Sequence, residues 1–157
     1  MDELDAWRAL VALYQSVLHD VVRALENDAG LDSGVFSALA YLARAQPRGR
    51  MRLSELLELM HPRYSQPGLS RLVQRMEADG LVERRADPDD GRATVLQMTR
   101  AGRARFERAD LVYTDAVREH FGRHLPAAEA RTLERSLETV LRARATSTSE
   151  SRTVRPR

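Results

Sequence analysis

Apolar residues recur at steps of three and four from the start of the chain. Leu4, Trp7, Val11, Tyr14, Leu18, Val21 and Leu25 form one seam, widened by Leu10 and Val17. That spacing predicts a helix over 4–27 with a coiled-coil-like face. A seam this long on a small chain suits a partner helix as well as a core. Asp32 or Ser33 is placed to cap a second helix, about 33–45, with Val35, Leu39 and Leu42 inward. The segment QPRGR breaks the pattern. Met51–Leu53 is read as a short strand, and Ser54 as the cap of a brief helix, SELLELM, with Leu56, Leu57 and Met60 apolar.

HPRY, with Pro62, makes a turn, and Ser65 caps the helix SQPGLSRLVQRMEADG. Pro67 is tolerated there because first-turn amides have no partner inside the helix. Leu69, Leu72, Val73 and Met76 fall on one face, while Gln66, Ser70, Arg71, Gln74 and Arg75 fall on the others. Gly80 ends the helix as a left-handed cap would. Two helices joined by a short turn are a helix-turn-helix. Strand-like arms at 81–86 and 93–98 then flank DPDDGR, a run of turn-formers. Thr99 caps a long helix to about 121 that carries Phe106, Val112, Tyr113, Val117 and Phe121. Pro126 opens a last helix with Leu133, Leu137, Val140 and Leu141 on its apolar face.

The expected fold is mainly α with a small β-hairpin wing. A winged helix-turn-helix head (about 33–100) joins long N- and C-terminal helices (about 4–27, 99–121 and 126–146) in a single domain, 1–146. The end, 147–157, is polar and is read as a disordered tail. The long helices carry apolar faces that a small head cannot bury alone, so a homodimer is expected.

Composition narrows the function. The chain has 157 residues, no cysteine and a net charge of +2. Without cysteine there is no disulfide framework, thiolate zinc site or thiol sensor. No apolar run reaches membrane-spanning length, and the acidic MDELDAW start does not resemble a signal peptide, so a cytoplasmic protein with no membrane partner is expected. The charge is uneven. Residues 47–108 hold thirteen arginines against nine acids, whereas 1–46 hold three against seven. Every basic residue other than histidine is arginine, which grips phosphate and guanine edges bidentately.

SRLVQRMEADGLVERR at 70–85, followed by DPDDGRATVLQMTRAG at 87–102, resembles the MarR family of bacterial transcription regulators. The shared pieces are the Ser-Arg-Leu-Val start, Gly80-Leu81-Val82 leading into the wing, Asp90-Gly91-Arg92 at its tip, and Met98-Thr99-Arg100-Ala101-Gly102 leading into the next helix. The likeness is close over 50–105, and elsewhere extends only to helix order and length. Gly91 stands where many members have a second basic group, Met98 replaces the usual leucine, and three acids weaken the positive field of the tip. The resemblance implies a homodimeric repressor on a pseudopalindromic operator. Its recognition helices would enter major grooves of double-stranded DNA, and its wing arginines the flanking minor grooves.

On that reading Ser65, Gln66, Ser70, Arg71, Gln74 and Arg75 face base edges or phosphates. Arg71 and Arg75 could instead pair with Glu77 or Asp79. Arg63, Arg84 and Arg85 are phosphate contacts or plain solvent charges. Arg92 is the minor-groove candidate, since a narrow groove attracts arginine. Asp90 is placed to steer it, unless Asp87, Asp89 and Asp90 simply neutralise it.

The resemblance also implies a small phenolic or anionic effector in a cleft beside the dimer helices. Candidate lining residues are Trp7, Tyr14, Phe36, Tyr41, Phe106 and Tyr113, all equally suited to a core. His120 and His124 have i, i+4 spacing, which makes a zinc-responsive regulator an alternative. No cofactor is otherwise expected, and no phosphate loop, nucleophile elbow or zinc-protease motif points to an enzyme. A second alternative is a winged-helix interaction module without sequence-specific DNA binding.

Overall fold

The computed structural model describes residues 2–46, 49–87, 90 and 93–153, the stretch 147–153 as backbone only. Five of the predicted helices lie within a residue or two of expectation: α1 (Glu3–Asn27), α2 (Ser33–Arg44), α3 (Leu53–Met60), α4 (Gln66–Ala78) and α5 (Arg100–His120). A 3-10 turn, Gly122–His124, precedes α6 (Ala127–Thr153). Three short strands, β1 (Arg50–Arg52), β2 (Val82–Ala86) and β3 (Thr94–Met98), form an antiparallel sheet in the order β1-β3-β2. The chain divides into two compact units, Met1–Val117 and Arg118–Arg157.

The caps explain the boundaries. Asp32, rather than Ser33, starts α2, its Oδ1 accepting from the Gly34 and Val35 amides at 2.8 and 3.1 Å. Ser65 caps α4 through Gly68 N–H at 3.3 Å. Ser54 does not cap α3. The helix begins one residue earlier, and Glu55 reaches back to accept from the Arg52 amide at 3.2 Å, satisfying a first-turn donor from the other direction. Gly80 has φ +69°, the left-handed stop expected of it.

Leu25, Leu39, Leu42, Leu56, Leu69, Val73, Met76 and Leu96 are fully buried in the first unit, so every element from late α1 to β3 contributes to one core. Burying each such leucine contributes roughly 1.5–3 kcal/mol. The α1 seam splits. Val21 and Leu25 are buried, whereas Leu4, Trp7 and Tyr14 stand 49–61% exposed. In the second unit α6 presents Val140 and Leu141 to solvent. Its helical backbone runs on through 147–153, inside the stretch read from sequence as a disordered tail.

The start of α5 is set by one hydroxyl. Thr99 Oγ1 donates to Gly80 O at 2.7 Å and accepts from Gly102 N–H at 2.9 Å, while Thr99 N–H donates to Leu81 O at 3.0 Å. α5 therefore starts so close to the residue before β2 that a Cβ on Gly102 would run into the Leu81 carbonyl. This contact explains the Thr-x-x-Gly spacing of the sequence.

Candidate nucleic-acid interface

Helix α4 is divided cleanly. Leu69, Leu72, Val73 and Met76 are buried, and the opposite side carries Arg71, Gln74 and Arg75 exposed, with Ser70 half-buried at its edge and Gln66 exposed in the first turn. Arg71 and Gln74 lie nearest the centre of the outward face. Among the described residues no carboxylate pairs with Arg71. Arg75 lies at the margin of that face. It pairs with Asp32 at 3.3 Å, not with Glu77 or Asp79, which tethers the end of α4 to the start of α2.

Two further candidates have partners that sequence spacing did not suggest. Arg84 Nε meets Glu77 Oε2 at 2.8 Å, with about a third of each side chain exposed, so it is neither a bare solvent charge nor free to move. Arg63 Nη2 donates to Ser33 Oγ at 3.2 Å, docking the turn of the helix-turn-helix on α2. Arg85 pairs with Glu83 on the exposed strand.

The wing is β2 and β3, in register from Val82↔Met98 to Ala86↔Thr94. The Asp87 amide donates to Ala93 O at 3.0 Å, and Ala93 N–H donates to the carbonyl of Asp90, an exposed residue, at 2.9 Å. Asp89 and Arg92 lie outside the described residues, and the steering of Arg92 by Asp90 rests on sequence. Asp87 does not belong with the tip acids. It is the one buried charged side chain among the described residues, and its Oδ2 accepts from Arg52 Nε at 2.6 Å. That bond, then the charge of Asp87, with smaller contributions from Asp90 and Glu55, pushes the Arg52 pKa above its ordinary value. Arg52 was missed from sequence. A buried carboxylate needs a cation, but nothing local points to one 35 positions away.

The sequence model of the MarR family matches residues 29–93, from just after α1 through β2 to the residue before β3. In fold, the chain is similar to AbsC of Streptomyces coelicolor (25% identity, TM-score 0.77, 92% of this chain and 95% of that one). It is also similar to Sco3205 of the same organism, solved in complex with DNA (27%, 0.76, 90% of each chain). A third similar structure is a mutant of Escherichia coli MarR complexed with operator DNA (26%, 0.67, 90% and 99%). Over the helix-turn-helix and the first strand of the wing the chain matches the MarR family, and its fold is that of MarR-family regulators. A transcriptional repressor of Pseudomonas putida, IacR, is 35% identical over 72 residues, 46% of this chain and 42% of that protein's length.

The aromatic candidates separate. Tyr14, Phe36, Tyr41 and Tyr113 line a cleft of about 320 Å³ together with Ser33, Ser37, Arg44 and Arg63. Phe36 stacks on Tyr113 and Phe106 with ring centroids 4.9 and 5.7 Å apart. Phe106 packs against the core and is not among the residues lining this cleft. Trp7 is 61% exposed and does not line it either. His120 closes α5 and His124 sits in the following 3-10 turn, so the two do not share one helical face as their spacing suggested. Among the described residues no group of three or more metal-ligating side chains converges.

Proposed function

We propose that this chain is a homodimeric, sequence-specific DNA-binding transcription regulator that represses from a pseudopalindromic operator and works in the cytoplasm. One observation carries the reading: a helix with one face locked in the core presents Ser70, Arg71 and Gln74 on the other, with Gln66 exposed in its first turn, next to a two-stranded wing. Side chains so placed can read base edges, each good contact being worth roughly 1–3 kcal/mol of discrimination. The relatives solved on DNA and the relative named a repressor support it. The exposed apolar residues of α1, and separately those of α6, are surfaces that a second copy would cover. Among the described residues no helix is long and apolar enough to cross a membrane.

Selection of preferred sites from random duplexes tests this directly. A two-fold symmetric site is expected. Absent or sequence-independent binding favours an interaction module instead. The cleft holding Arg44, Arg63 and three tyrosines suits a small phenolic anion as the effector. Such a compound is expected to bind the protein and release the selected duplex.

A further inference from the structure

Asp87 is a buried carboxylate just beyond the end of β2. Arg52, which bonds to it, stands on the opposite edge strand of the sheet. β3 lies between β1 and β2, with Arg52↔Val95 on one side and Arg85↔Val95 on the other. Residues 52, 95 and 85 are in register, and 87 is two beyond 85, so Arg52 and Asp87 share one face of the sheet. The bond from Arg52 Nε to Asp87 Oδ2 thus crosses the central strand and joins the two outer ones where β2 ends.

Arg52 has a second attachment. Its amide donates to Glu55 in the first turn of α3, the first helix of the helix-turn-helix. One residue therefore links α3, the edge strand and the base of the wing. The neighbouring groove is lined by Leu53, Ser54 and Leu57 on one side, Gln66, Leu69 and Ser70 on another, and Ala93 and Thr94 of the wing. Of these residues Leu69 alone is fully buried. A charge-assisted bond with a buried acceptor gives that junction a fixed geometry.

We infer that Arg52 and Asp87 are positioning residues that set the angle of the wing against the helix-turn-helix, so that both reach DNA at once. The inference rests on the DNA-binding reading above. Removing the pair is expected to cost the contacts of the wing and spare those of α4. The probe is the duplex that the full-length wild-type chain selects from a random pool. Asp87→Asn is the first variant. Because it leaves a buried amide against a cation, the double variant Arg52→Gln, Asp87→Asn is the second.

Each should bind that duplex about tenfold more weakly. The slope of log affinity against log salt should fall by about one. Hydroxyl-radical protection should be lost at the flanks and kept at the centre, with the Arg52→Lys variant recovering part of the flank. Unchanged affinity and flank protection in the double variant overturn the clamp and leave the DNA-binding reading standing. Uniform loss of central and flanking protection also overturns it, since the pair would then merely hold the head together. A wild-type chain that selects no sequence overturns the DNA-binding reading, and the clamp with it.

Discussion

Arg75 of α4 and Asp32 at the start of α2 are joined at 3.3 Å, and the same Asp32 oxygen accepts from the Gly34 and Val35 amides. One carboxylate thus caps a helix and tethers an arginine at the margin of the outward face. Both side chains of the ion pair are about half exposed, so the pair itself contributes at most about 1 kcal/mol. The cap contributes more. Asp32→Asn keeps the acceptor and should leave the urea midpoint nearly unchanged. It releases Arg75 and should tighten binding to non-specific duplex at low salt. Asp32→Ala should lose about 1 kcal/mol of stability through the missing cap. Equal stability of the two variants would show that the cap contributes nothing.

Arg71 is expected to act on sequence and not on stability. It is exposed, with no carboxylate partner among the described residues. Arg71→Ala should weaken the selected duplex by roughly 1–3 kcal/mol and relax preference at one or two positions per half-site. Its melting curve should overlay that of the wild type. Arg84→Ala is the contrasting case. It leaves Glu77 without its 2.8 Å partner and should lower binding evenly across sequences.

Arg92 lies outside the described residues, and its prediction comes from the Asp90-Gly91-Arg92 motif alone. Arg92→Ala should reduce the salt slope by about one and weaken binding to A·T-rich flanks most. A salt series superimposable on the wild type would remove it from the interface.

Gly102→Ala should destabilise the fold by about 2 kcal/mol, because the added methyl meets backbone at Leu81 and not a side chain that can swing away. Thr99→Val, which deletes the hydroxyl bridging Gly80 and Gly102, should lose about 1 kcal/mol. Denaturant midpoints should fall in both cases with the slope unchanged.

These residues also show what the sequence made legible. Ser65, Gly80 and Thr99 declare themselves because capping is local, read within three or four positions. The buried stripe of α4 follows from its periodicity. Arg52–Asp87, Arg75–Asp32 and Arg63–Ser33 were not legible, since each joins elements more than 29 positions apart and any exposed arginine looks like a solvent charge. Asp87 adjoins the acids of the tip in sequence and so groups with them there, yet its side chain turns inward. The aromatic set suggests a single cleft, although Phe106 packs on the core and Trp7 lies on exposed helix. Periodicity marks an apolar face but not what covers it.

Trp7 is the only tryptophan in the chain, and it sits on the uncovered half of α1. The indole emission of the whole protein therefore comes from one known place, remote in sequence from the helix-turn-helix and the wing. A blue shift on raising protein concentration would record the covering of α1 and nothing else. The molecule carries its own label for self-association, separable from any optical change that duplex binding produces in the tyrosines.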